Sequence, residues 1–209
     1  MISGLWGKKV GMTQIFADGH KVVPVTVIDV GNWLVTQVKQ VDHDGYHAVQ
    51  FGCIKPRHAG TEFAPEWLQA PRKYFSALRE VRVLDGSTEF QIGHPVGLET
   101  VFGAGDVVDV SGITLGRGFQ GVVKRYRHKG GRASHGDKLG RGPGSLTGMR
   151  TCGRVPKGRK LPGHMGTTNR TIKNLVVVDV QADTRTISVR GSVPGKPHSL
   201  VFVRKCREQ

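Results

Sequence analysis

Between Gly116 and Lys173 the chain carries fifteen Lys and Arg residues against a single acid, Asp137. Guanidinium forks and ammonium groups at that density suit one kind of chemistry, the donation of charge-assisted hydrogen bonds to phosphate oxygens. The same stretch holds fourteen glycines and only two aromatic residues, too little apolar surface for a core of its own. So much unmatched positive charge calls for a polyanion, and nucleic acid is the implied partner. Glycine lets backbone pass close to another surface, so the composition describes a chain threaded between nucleic-acid strands.

The candidate contacts are Arg117, Lys124, Arg125, Arg127, Lys129, Arg132, Lys138, Arg141, Arg150, Arg154, Lys157, Arg159, Lys160 and Arg170. His128, His135 and His164 are read as hydrogen-bonding or stacking partners for RNA. Lys8 and Lys9 form a minor basic spot near the N-terminus, equally well read as a solvated turn. A solvated basic tail is the plain alternative for any charge run. This run is internal and varied, with Phe119, Tyr126, Leu146, Met149 and Met165 spread along it, and ordering on a partner accounts for it better.

Other chemistries fit poorly. Gly116, Gly118 and Gly121 spell GxGxxG with Asp137 21 residues beyond Gly116, but a dinucleotide site needs a βαβ unit around that motif, and VVKRYRHKGG does not supply one. The GxxxxGK[ST] phosphate loop does not occur in the sequence. Nine histidines form no HxxxH or Cys/His ligand spacing, and catalysis would need a nucleophile, a base and an orienting acid together. The expectation is no catalytic residue, no metal and no cofactor. Cys53, Cys152 and Cys206 are odd in number and far apart, which indicates neither a disulfide framework nor a zinc site and suits a reducing compartment. The opening MISGLWGKK has no signal-peptide run, and no segment nears the roughly 18 apolar residues of a membrane span, so a soluble intracellular protein is expected. Trp33 and Trp67 read as packing residues.

The 151 residues outside the basic stretch hold 16 bases and 15 acids and must position it. KVVPVTVIDV from Lys21 and WLVTQVKQV from Trp33 have the near-alternating, β-branched pattern of strands, with Gly31-Asn32 between them as a hairpin signal. Further strands are expected over His47–Phe51, Glu80–Leu84, Thr88–Ile92, Asp106–Val110, Asn174–Val180, Thr186–Arg190 and Leu200–Arg204, and one helix over Pro71–Arg79, where proline suits the first turn. Many short strands joined by tight turns predict a mainly β fold, a barrel or sandwich. The basic stretch interrupts this body and is far longer than an ordinary connector. Two arms of about 29 residues each could extend at most roughly 95 Å, at about 3.3 Å per residue.

GLWGKKVGMTQIF, GRGFQGVVKRYRHKGGRASHG, RGPGSL, GRVPKGRKLPGHMG and NLVVVDV together resemble the bacterial-type ribosomal protein L3 family along the whole chain. That resemblance implies a β-barrel domain like those of translation factors (1–115 with 174–209), a small α+β insertion (about 52–95), and a long extended central loop (116–173) entering the large-subunit rRNA. It implies a structural role with rRNA of the 23S type and neighbouring ribosomal proteins as partners, in early subunit assembly, with no membrane and no small-molecule substrate. The loop tip, Ser145, Leu146, Thr147, Gly148, Met149, Arg150 and Thr151, would approach the peptidyl transferase centre of a cytoplasmic or organellar ribosome. The chain departs from the family pattern at Arg132, Gly140 and Pro162, and at the tip, where Cys152 replaces a proline and Arg150 aligns with a glutamine that some members methylate. A free-standing nucleic-acid chaperone or DNA-binding module is the competing reading, to be separated by whether the protein stays with the large subunit through a moderate salt wash. A nucleotide-dependent enzyme would require cofactor binding that survives removal of RNA.

Overall fold

The computed structural model describes residues 2–17, 21–83, 90–147 and 153–206. Its strands are, in chain order, β1 (Gly4–Ala17), β2 (Lys21–Asp29), β3 (Trp33–Lys39), β4 (Ala48–Ile54), β5 (Phe75–Arg82), β6 (Val107–Ile113), β7 (Phe119–Gln120), β8 (Gly163–His164), β9 (Asn169–Gln181), β10 (Thr186–Arg190) and β11 (Leu200–Lys205). Four one-turn helices accompany them: α1 (Val41–Asp44), α2 (Glu66–Gln69), α3 (Pro71–Tyr74) and α4 (Val122–Tyr126). The chain divides into two compact units, Met1–Ile113 with Asn169–Gln209, and Thr114–Thr168.

In the first unit six strands close into an antiparallel barrel in the order β1-β11-β6-β9-β10-β2. The alternating residues Val108 and Val110 of β6, Ile187 and Val189 of β10, and Val201 and Val203 of β11 are fully buried inside it. Each such side chain stabilises the fold by roughly 1.5–3 kcal/mol relative to exposure. A second sheet, β3-β4-β5, adds Val35, Val49, Phe51 and Val81 to the same continuous core. Trp33 is buried there, against Trp6, while Trp67 lies flat on Tyr74 at 5.0 Å and edge-on to Phe63 and Phe75.

Four expectations are corrected. Gly31-Asn32 is a turn but not a hairpin: β2 belongs to the barrel and β3 to the second sheet. The turn is a corner, held by the Gly31 amide donating to Asp29 Oδ1 at 2.7 Å and the Ile54 amide donating to the Asn32 carbonyl at 2.9 Å. The helix from Pro71 stops at Tyr74, because Phe75 onward pairs with β4 from Ile54 back to Ala48. The described part of Thr88–Ile92 is not a strand; just after it, Val35 accepts a hydrogen bond from Gly93 and donates one to His94. Last, β1 was not foreseen, yet it pairs with both β2 and β11. Its glycines and lysines hide the alternation, and a register shift between Lys9 and Gly11 breaks it. Gly7 is required by close approach, since a Cβ there would lie 2.6 Å from Ile28 Cγ2.

The ends of the second unit are set by β6 and β9, which pair from Val107↔Val176 to Ile113↔Asn169. A bulge opposite Asp109 puts Asn174 at φ 57°. The buried Asp109 carboxylate holds it, accepting from the Asn174 amide at 3.1 Å, from Arg204 Nη2 at 3.0 Å and from Cys206 Sγ at 3.2 Å. Burial alone would raise that carboxyl, but the bonds from Arg204, Cys206 and Asn174 outweigh it and hold it below the ordinary carboxylate range.

Candidate nucleic-acid interface

The unit Thr114–Thr168 is organised from its root. Thr114 and Thr168 exchange backbone hydrogen bonds through Thr114 N to Thr168 O at 2.9 Å and Thr167 N to Thr114 O at 3.1 Å. Arg117 N then donates to Met165 O at 2.8 Å, Met165 N donates to Gly118 O at 2.9 Å, and β7 pairs with β8. Gly166, at φ 83°, is what permits this closeness, because a Cβ there would collide with the Leu115 carbonyl. The GxGxxG glycines therefore lie in an antiparallel ladder and at the N-terminus of the five-residue α4, without the βαβ unit a dinucleotide site needs.

Beyond the ladder, α4 buries Val122 completely, and Arg127 ends the helix in the left-handed region with its amide donating to Val122 O. Arg125 is half-buried. Its Nη1 donates to the Leu161 carbonyl at 2.7 Å while its guanidinium lies 4.9 Å from the Tyr126 ring, which Lys160 Nζ also approaches at 5.7 Å. Two distant segments are thus joined on one aromatic ring, by contacts worth roughly 0.5–1 kcal/mol each at such exposed sites. Further out, Gly131 N donates to Gly140 O at 2.6 Å and closes a loop, within which Asp137 Oδ1 accepts from the Leu139 amide at 2.9 Å. The one acid of the stretch therefore shapes a turn and neutralises no base. Arg159 Nη2 reaches the Ser145 carbonyl at 2.5 Å.

The remaining cations point to solvent. Arg117, Lys124, Arg127, Lys129, Arg132, Lys138, Arg141, Arg154, Lys157, Arg159 and Lys160 are exposed, as are His135 and His164; His128 is half-buried. Among the described residues none of the unit's Lys or Arg side chains is in an ion pair. Ser145, Leu146 and Thr147 are exposed, with Ser145 Oγ donating to Thr147 O at 3.0 Å. Gly148, Met149, Arg150 and Thr151 lie outside the described residues. Arg170 and Lys173 fall on β9, and Lys8 and Lys9 on β1, all in the first unit. Lys9 has work there, its ammonium donating to the carbonyls of Val193 at 2.8 Å and Gly195 at 3.1 Å. Tyr126 and Leu161 are the site residues that charge counting misses; the aromatic ring inside a basic run was the available signal. Among the described residues no group of His, Cys, Asp and Glu could hold a metal, and no helix is long and apolar enough to cross a membrane.

A family model described as ribosomal protein L3 matches residues 81–190, a span that includes the whole cationic unit. The chain belongs to the ribosomal protein L3 family. Curated relatives named "Large ribosomal subunit protein uL3" are similar over almost the full length. The protein of Geotalea daltonii is 42% identical over 98% of this chain and 97% of its own length. Those of Pelotomaculum thermopropionicum and Lactobacillus delbrueckii subsp. bulgaricus are 45% and 44% identical with the same coverage. For an L3 family member, the matched span also takes in β6, β9 and β10, so the barrel strands that frame the cationic unit belong to the family pattern along with it.

Proposed function

We propose that the Thr114–Thr168 unit is the rRNA-embedded part of a large-subunit ribosomal protein, its cations neutralising crowded phosphates and fixing the packing of rRNA segments. As an L3 family member the protein is a structural constituent of the large ribosomal subunit and not an enzyme. The observation that carries the finer reading is the set of exposed bases without ion-pair partners on a backbone already shaped by its own hydrogen bonds. Such cations release counterions from RNA when they bind, and phosphate contacts fix register without reading sequence. Neighbouring ribosomal proteins complete the environment, and the reading extends to a part in early subunit assembly.

The tip, residues 145–151, is assigned to the neighbourhood of the peptidyl transferase centre, where RNA performs the chemistry and the protein acts by position. The test is binding of the full-length protein to large-subunit rRNA as salt rises. With about ten phosphate contacts, affinity falls by several decades between low and moderate salt. A flat response excludes the reading, and a protein that leaves the large subunit in a moderate salt wash is the free-standing chaperone instead.

A further inference from the structure

We propose that the barrel unit carries a second RNA-backbone site, a groove of 940 Å³ in which Arg82 and Lys173 are free cations and Arg204 and Lys205 are fixed ones. Its walls come from β5, β6, β9 and β11, four segments that no sequence window joins. The acids around it are already matched. Glu80 is paired with Lys39 at 2.8 Å, Asp109 with Arg204 at 3.0 Å, and Asp106 with Lys205 at 2.8 Å. Among the described residues Arg82 and Lys173 have no ion-pair partner, and both are exposed. The unpaired charge of the groove is therefore positive.

The cations are also positioned before any ligand arrives. The Arg204 and Lys205 pairs fix the C-terminal strand's side chains, and the Arg82 guanidinium rests 5.5 Å over the Tyr46 ring. Holding donors in place lowers the ordering cost of binding. Phe202, half-buried against Trp6 at 5.1 Å, gives the groove an apolar wall, and Ser3 and Asn174 line it with neutral polar groups. Cations beside an aromatic wall suit a polymer that alternates phosphate with sugar and base, which is how single strands are held. An acidic peptide would use the cations and leave the wall idle. The inference rests on the reading that this protein is surrounded by rRNA, and it adds a contact surface outside the cationic unit.

The experiment uses the full-length protein and a full-length large-subunit rRNA transcript, comparing wild type, the double variant Arg82→Gln/Lys173→Gln, and the triple variant Arg154→Gln/Arg159→Gln/Lys160→Gln. Neither groove side chain is paired or buried, so the double variant should keep the wild-type unfolding temperature. Its slope of log affinity against log salt should shrink by about 2, since each lost phosphate contact removes about 0.9. A wild-type slope in the double variant with a reduced one in the triple variant overturns the groove alone. Unchanged slopes in both overturn the rRNA reading itself. If the double variant keeps its RNA slope and loses binding to poly-glutamate, the groove is a protein-docking surface and the proposal fails.

Discussion

The two units use charge in opposite ways. In the barrel unit, acids and bases are nearly balanced and its buried or half-buried carboxylates are matched: Asp109 with Arg204, Asp106 with Lys205, Glu80 with Lys39. There, charge completes a geometry that the apolar core of Phe51, Phe102, Ile28 and the barrel valines already fixes. In the Thr114–Thr168 unit one valine is fully buried, the single acid shapes a turn, and the bases stand unmatched. A surface that repels itself is stable only to the extent that something outside neutralises it. The first unit is built to fold and the second to be surrounded.

The largest effect expected from this contrast is on the second unit. Charge reversal at Arg154, Arg159 and Lys160 to Glu removes three charge-assisted contacts of about 1.5–3 kcal/mol each, so rRNA affinity at moderate salt should fall at least about a thousandfold. Large-subunit assembly, followed by sedimentation of particles, should be impaired while the unfolding temperature of the barrel stays the same. Normal assembly would remove these residues from the interface. The converse variant is Phe51→Ala, which leaves a cavity in the barrel unit's core and should cost about 3–5 kcal/mol in denaturant unfolding. Its salt slope for RNA, measured where the protein remains folded, should match wild type.

Much of this division could be read from the residues themselves, because it is a matter of composition. Fifteen bases and one acid in one stretch need no fold to be seen. Local alternation also sufficed for β10, where Thr186–Arg190 is the observed strand, and nearly so for β2 and β3. What stayed hidden depended on contacts far apart in the chain. Gly31-Asn32 carries an adequate turn signal, yet β2 finds β1 and β10 as partners while β3 finds β4. PRKYFSALR has a helical start, yet from Phe75 its residues are taken by pairing with β4. The insertion was expected to begin near residue 52 because β3 looked like a hairpin partner; in the structure the second sheet starts at Trp33. In the site, charge was legible but Arg125 bonding to Leu161, and Arg82 meeting Arg204 and Lys173 around one groove, were not.

A sharper form of the comparison comes from pH. Asp109 lies below its ordinary range in the folded protein, so its ionised form is favoured by folding. The stability it contributes is fully present above about pH 4, the unfolded value, and is lost as pH falls through the lowered folded value. Asp109→Asn should cost about 2 kcal/mol near neutral pH, through weakened bonds to Arg204, Cys206 and the Asn174 amide. It should also flatten the acid limb of the stability curve. An acid limb of wild-type steepness in the variant would mean that other carboxylates, Glu80 and Asp106 among them, carry the whole effect.

The smallest expected effect tests whether a base in the barrel unit can be reassigned from partner to fold. Lys9 looks, by sequence, like one more phosphate contact, but its ammonium donates to Val193 O and Gly195 O and so ties β1 to the loop before β11. Lys9→Met keeps the aliphatic stem and deletes only the donors. Because the site is half-exposed and water can replace them, the loss should be about 1 kcal/mol, read as a lowered midpoint of denaturant unfolding. Hydrogen exchange at the Ser199 and His198 amides should quicken, since both are bound within that same corner, His198 N to Lys9 O and Ser199 N to Lys196 O. The RNA salt slope should not move. If instead the slope dropped by about 0.9 with stability unchanged, Lys9 would be a phosphate contact, and the barrel unit would share in the chemistry that this comparison reserves for unmatched cations.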